Sequence, residues 1–262
     1  MLFIGIDLAW GARNPSGGAI LRHQELVAAT GALTDDDAIL AFIARHLQPE
    51  EGAVVAIDAP LRVPNLTGAR RCDQALSAEW RAYEAGALPA NRRLLEVNGV
   101  VRGEALVARL AATAGFQETA PIPYQTPGRF VAEVFPHPAH VALFGLTKTL
   151  KYKARPNRTL AERQAAFHHY QAALAALHTA DPPLHGTAEL LQVNVTALTG
   201  RRLKGYEDTL DALTCAYVAA YLWHHGPSQG RVYGDVATGH ILTPLPPATM
   251  VGATPDVGGS SA

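Results

Sequence analysis

Four aspartates stand where an ionised carboxylate is costly unless it is paired or bound to a cation. Asp7 lies inside the apolar run GIDLAW, and Asp58 ends another, VAIDAPL. Either one alone reads equally well as a strand-end residue capping the next loop. Asp208 and Asp211, in YEDTLDALTCAYVAAYLWHH, are spaced i, i+3 and so leave one face of a helix. Acids near a helix start commonly just answer the macrodipole, and Asp208 can serve as such a cap. Asp211 sits a turn further in, bracketed by Leu210 and Leu213, which marks a partly buried acid that needs a partner. Gathering several carboxylates raises the proton affinity of each. A hard divalent cation, magnesium or manganese, removes the conflict. Two such ions about 4 Å apart can activate water and stabilise the leaving oxygen in phosphodiester cleavage.

Other residues are candidates for supporting roles. Glu133 lies on an expected strand with apolar neighbours, and reads either as a fifth catalytic acid or as half of an ion pair. His137 and His140, in FPHPAH, suggest zinc, but no further His or Cys has matching spacing, so His137 reads better as a structural or substrate-contacting residue. Lys148, Lys151, Lys153, Arg155 and Arg158 form the densest basic run. Such a run can grip phosphates, with Tyr152 stacking on a base, or it can be a solvated loop. Arg70 and Arg71 are a second candidate phosphate contact. Arg201, Arg202 and Lys204 stand just before the acid-bearing helix. Asn14, Ser16 and Gly17 occupy the loop that follows Asp7, and Asn14 is a candidate for substrate contact there.

The elements that must position these residues can be read from periodicity and punctuation. Leu2 to Leu8 is a buried strand, and Gly18 to His23 with Glu25 to Thr30 form a hairpin. Thr34 followed by Asp35, Asp36 and Asp37 starts a helix, whose apolar stripe is Ile39, Leu40, Phe42, Ile43 and Leu47. Ala53 to Asp58 is a second buried strand. Three antiparallel strands followed by a helical crossover to a buried strand is a specific order of elements. The stretch from about 60 to 128 reads as a helical and irregular insertion, with helices at Arg70 to Tyr83 and Gly99 to Ala114. Arg129 to Phe135 resumes strand character, with Phe130, Ala132 and Val134 on one face and Val131, Glu133 and Phe135 on the other. Further helices are expected up to Gly145 with Pro138 in the first turn, at Thr159 to Leu177, at Thr187 to Leu198, and at Gly205 to His225. A hairpin closes the fold from Arg231 to Leu242. With no internal repeat and no linker, residues 1–245 read as one domain, and 246–262, rich in Pro, Gly and Ser, as a disordered tail.

A resemblance now joins the acids to a family. GIDLAW with the downstream Asn14-Pro-Ser-Gly, IDAPL, EVFPHPA, the KYK segment, YEDTLDALTCAYVA and GDVATGHI together resemble the DUF429 family, classed as predicted nucleases of ribonuclease H-like fold. The likeness runs nearly the whole chain, up to about Pro244. It implies an α/β domain with a ribonuclease H-like mixed sheet, three strands antiparallel and the rest parallel through helical crossovers. An Asp on the first strand, an acid ending the fourth and a DxxDA helix are also similar to the Holliday-junction resolvase branch. That likeness implies Asp7, Asp58, Asp208 and Asp211 as metal ligands, and a homodimer, although no dimer surface is legible. Asp58 departs from the Glu those resolvases carry, and the shorter side chain would shift the metal or admit a water. Tyr152 and Lys153 match the family's YK motif. The loop after Asp7 has Leu8-Ala9-Trp10 where the kinases and chaperone ATPases of the superfamily carry Gly-Thr.

Composition bounds the rest. Hydrophobic residues make up 48% and charged residues 17%, ordinary for a soluble enzyme. A net charge of −1 supplies no global field to draw in nucleic acid. Cys72 and Cys215 fit no metal or redox spacing, which suggests a reducing, cytoplasmic setting. No apolar run is long enough for a membrane span. The expectation is a divalent-metal-dependent nuclease acting on DNA or RNA. Its rivals are a nucleotide-binding phosphotransferase on the same fold, recognised by nucleotide protection without strand cleavage, and a non-catalytic protein-interaction module, recognised by indifference to metal.

Overall fold

A computed structural model describes residues 1–11 and 14–247. The expected tail from 248 onward lies outside the described residues. Strands β1 (Leu2–Asp7), β2 (Ser16–Arg22) and β3 (Glu25–Leu33) run antiparallel in sequence order. Helix α1 (Asp36–His46) then carries the chain back to β4 (Ala53–Asp58), which pairs parallel to β1. The segment after β4 holds α2 (Arg71–Trp80), the single turn α3 (Arg92–Leu95), a small hairpin of β5 (Glu96–Val97) and β6 (Val100–Val101), and α4 (Arg102–Ala114). Short β7 (Gln117–Glu118) and β8 (Arg129–Glu133) complete a six-stranded sheet in the order β3-β2-β1-β4-β8-β7. Helices α5 (Pro136–Phe144), α6 (Leu160–Ala176), the single turn α7 (Ala188–Leu191) and α8 (Gly200–His225) follow. The hairpin β9 (Gly230–Asp235) and β10 (Gly239–Pro244) ends the ordered elements.

Strand alternation sorts the core into two layers. Leu2, Ile4 and Ile6 join Val55, Ile57 and Val131 beneath α1 and α4, whose Ile39, Ile43, Leu106 and Leu110 fill that side. Phe3, Val54, Ala56 and Ala132 face the other way, onto α8 with α5 and α6 behind it. Because α4 belongs to the first of these cores, it is the crossover helix between β4 and β8. The inserted matter is narrower than 60–128. Its α2 packs against the terminal hairpin, where Trp80 Nε1 donates to Tyr233 Oη at 2.6 Å.

Helix α8 lies on the sheet through glycines. Gly5, Gly17 and Gly31 stand on β1, β2 and β3, and a Cβ at each would overlap the carbonyl oxygens of Ala212, Asp208 and Gly205 respectively. The helix backbone therefore rests on bare sheet backbone over three strands, stepping along its axis from Gly205 to Ala212.

Several boundaries differ from expectation, each for a physical reason. Helix α1 is capped by Asp35, whose carboxylate accepts from Ala38 N at 2.8 Å, and Thr34 instead bonds Asp35. Gly99, at φ +80°, turns the β5–β6 hairpin, so α4 begins at Arg102. Helix α5 opens at Pro136, with Pro138 in its first turn as expected. The helix expected over 187–198 is only α7 and one 3-10 turn, because Asn194 caps Thr196 N with its own side chain and breaks the run. Helix α8 begins at Gly200, five residues before the expected start. Gly205 was read as its beginning but is the helix residue that meets Gly31.

Gly5→Ala and Gly17→Ala force α8 off the sheet, since backbone cannot yield as a side chain would. Urea unfolding is expected to show a loss of at least about 1–3 kcal/mol for each. Gly11→Ala, which meets nothing within 4 Å, should stay within about 0.5 kcal/mol of the wild type.

Candidate active site

Register brings the first two acids together. Asp7 and Asp58 are the last residues of neighbouring parallel strands and sit directly opposite one another. Counting back through Gly5 and Phe3, and through Ala56 and Val54, both project to the α8 side. Asp7 is also paired with Gly17, the glycine on which the Asp208 backbone rests. The contact that seats the helix thus delivers Asp208 to Asp7, whose carboxyl helps to draw the proton affinity of Asp208 down.

These three acids form the floor of a cleft of about 470 Å³. Burial pushes Asp7 well above the usual carboxylate range, and the Asp211, Asp58 and Asp208 carboxylates add to the shift while Lys153 opposes it. Burial likewise raises Asp58 to about 7, against Lys153 and with Asp211. Asp208 is raised mainly by burial, opposed by the Lys204 ammonium that pairs with it.

Asp211 behaves differently. It is 0% exposed and stands behind the cleft. Its Oδ1 accepts from Tyr152 Oη at 2.6 Å and Tyr170 Oη at 3.1 Å, and its Oδ2 faces Lys153 Nζ at 2.8 Å. Although burial pushes it up, Lys153 foremost, with His140 and Tyr152, holds it at about 2. The Lys153 ammonium in turn stays charged despite burial because Asp211, Asp7 and Asp58 surround it. The four aspartates therefore divide into three that face the cleft and one, Asp211, buried behind it and paired with a lysine.

Other expected residues fall into distinct positions. Glu133 pairs in register with Ile57, one step short of Asp58, so it leaves the opposite face of the sheet. There it accepts from Leu61 N at 2.9 Å and from Arg70 Nη1 at 2.8 Å. Arg70 is only 3% exposed, and its guanidinium also binds Asp73 Oδ1 at 2.7 Å and Arg62 O at 3.1 Å. A catalytic acid and a phosphate contact were expected here. The two residues are instead engaged with each other at the cleft edge.

Tyr152 is wholly buried, with His137 and His140 near its ring, so it cannot stack on a base. His137 lines the cleft with Nδ1 2.9 Å from Thr149 Oγ1, and burial keeps it neutral. Asn14 is exposed at the cleft mouth, whereas Arg71 is exposed on α2 outside the lining. Lys204 stands within the first turns of α8, not before it, and also pairs with Glu207 at 2.9 Å. The central place of Lys153 was not foreseen, nor was Trp10 at the cleft wall. Only the i, i+4 spacing of Lys204 and Asp208 signalled a pairing in advance.

Could the site hold a metal? Hard oxygen donors at Asp7, Asp58 and Asp208, each with its proton affinity raised by burial, suit magnesium or manganese. Asp211 is set apart from these three, its Oδ1 held by Tyr152 and Tyr170 and its Oδ2 facing Lys153. The cleft acids are not drawn tight. Among the described residues, the trio of potential ligands whose donor atoms lie within 4.8 Å of one another is Asp181, His224 and His225, at the far end of α8.

The strand order, the two helical layers and the acid-floored cleft define a ribonuclease H-like α/β protein with a carboxylate site at the ends of its central strands. The chain belongs to the DUF429 family, described as a protein of unknown function, whose model matches residues 5–237. No curated protein and no solved structure matches the chain. Among the described residues, no helix is long and apolar enough to cross a membrane.

Two outcomes test this geometry. Folding lifts Asp58 from 3.8 to about 7, so between those values the folded state holds a proton that the unfolded chain has released. That contribution favours folding at low pH and is lost as pH rises through 7. In thermal melts with EDTA, Asp58→Asn should therefore exceed the wild type at pH 8, with the gap closing towards pH 4. A gap that ignores pH would remove Asp58 from the cluster. Separately, Arg70→Met strands Asp73 and Glu133 and should cost about 3–5 kcal/mol in urea unfolding. Arg71→Met should change stability by less than about 0.5 kcal/mol.

Proposed function

We propose that this protein is a divalent-metal-dependent nuclease, hydrolysing phosphodiester bonds of nucleic acid. The observation that carries the reading is the pairing of Asp7 with Asp58 at the ends of parallel strands, with Asp208 opposite them and a basic rim above. Magnesium or manganese held by these three acids would activate water and neutralise charge at the departing oxygen.

The chain's own residues supply the remainder. Lys153, fixed by Asp211, presents a permanent positive charge beside the acids. In the four-acid, two-ion scheme Asp211 is a metal ligand; here it serves a cation that the chain carries itself. Tyr152 and Tyr170 hold Asp211 in the orientation that aims the ammonium into the cleft. Lys151, Arg155 and Arg158 line the same cleft and are placed to take flanking phosphates. This local cationic wall answers the absence of a global basic field. Both cysteines are free and buried, in keeping with a cytoplasmic setting.

Calorimetry with magnesium and manganese tests the reading on wild type, Asp7→Asn and Asp58→Asn. Saturable binding in the wild type should fall by more than the roughly 10–100-fold that losing an outer-shell partner costs. Cleavage of single-stranded, branched and hybrid oligonucleotides should vanish in step. Folded variants that bind and cut as the wild type does would sink the proposal. Nucleotide protection without strand cleavage would move it to a phosphotransferase.

A further inference from the structure

The two walls of the cleft rise from opposite faces of the sheet and differ in chemistry. On one side Trp10, three residues beyond Asp7, lines a small hollow with Ala59, Pro60, Leu95, Val101 and Gly103, beside the start of α4. On the other, Lys151, Lys153, Arg155 and Arg158 lie on the loop leading into α6, which packs on the α8 side. Three carboxylates lie between them.

Trp10 is also distinct among the tryptophans. Trp80 is 0% exposed, whereas Trp10 is 44% exposed within the cleft. Trp223 is half-buried, its indole donating to Thr126 O at 3.0 Å and its ring packed on Phe3. A large aromatic left open in a polar cleft, beside a small and mostly apolar hollow, is a platform for a flat ligand. A cationic wall across from it suits an anion joined to that ligand.

We infer that the cleft takes an unpaired nucleotide, its base stacked on Trp10 and its phosphates turned to the Lys151–Arg158 loop. The inference rests on the nuclease reading for its chemistry, but its binding half stands apart from cleavage. A base in a duplex has both faces covered by its neighbours, so only a single-stranded or extruded base can lie on an indole. The volume agrees, since about 470 Å³ is the size of a small-molecule site and cannot engulf a double helix.

Tryptophan emission reads this directly. A short oligothymidylate, a blunt duplex and an abasic strand of equal length are titrated in calcium buffer, with fluorescence anisotropy reporting affinity. The single strand should quench wild-type emission saturably. Trp10→Ala should abolish the quenching and weaken binding roughly 5- to 150-fold, with Trp10→Phe recovering most of the affinity. The abasic strand should bind wild type and Trp10→Ala alike, and the duplex should leave emission unchanged. Equal affinity of Trp10→Ala for the oligothymidylate, preference for the duplex, or no saturable binding overturns the inference. The two readings separate cleanly. Stacking on Trp10 without any metal-dependent cutting removes the nuclease alone, and Asp7-dependent cutting that is indifferent to Trp10 removes the stacking alone.

Discussion

The site depends on one contact, the backbone of α8 lying directly on the backbone of three strands. No side chain intervenes at Gly5, Gly17 or Gly31, so the helix approaches as close as main-chain atoms allow. A helix held at ordinary side-chain distance would leave Asp208 out of reach of Asp7. Glycine in a strand weakens it and forgoes a packing side chain, and three such positions on adjacent strands amount to a real local cost. The return is geometric. The same glycine that admits Asp208 is the register partner of Asp7, so strand pairing and helix docking locate the two carboxylates together.

Charge is the second constraint. A cluster of buried acids must be relieved by protons, by cations of the chain or by an ion from solution. This molecule divides the task. Lys153 pairs with Asp211, Lys204 is shared between Asp208 and Glu207, and burial raises the proton affinity of Asp7 and Asp58. Arg70, Asp73 and Glu133 form a separate ionic knot on the other face, where strand alternation keeps it from merging with the site.

Much of this was legible in the sequence, and the gaps have physical causes. The order of the first four strands and α1 followed from alternation and caps, because those signals are local. Asp7 and Asp58 stand out as carboxylates in apolar strands, and Asp208 through its i, i+3 spacing with Asp211 on a helix. Glu133 shows where a readable signal was left unused: its face on β8, opposite Ala132 and Val134, already set it apart from Asp58 once register was considered. The onset of α8 was misread because Gly205 looks like a boundary when its neighbour Gly31, far away in sequence, is unseen. Lys153 and Trp10 sit on irregular segments, whose direction no periodicity encodes. Tyr152 illustrates the converse, an aromatic in a basic run that looks like a stacking residue yet is sealed inside the core as a hydrogen-bond donor.

The glycine seating also has a consequence in time. Residues 1–58 contain two of the floor acids and can pair as strands early in synthesis, but the helix that covers them is made only after roughly two hundred residues have emerged. Until then the α8 side of the first three strands, bare of side chains at the three glycines, stays open to solvent. The contact that completes the carboxylate floor is thus among the longest-range in the chain, and such contacts form late because their loop closure is entropically dear. A half-made chain carries Asp7 and Asp58 but not the helix that completes the site. The carboxylate floor is complete only when α8 has closed onto the first strands, which ties this cleft to the integrity of the whole fold.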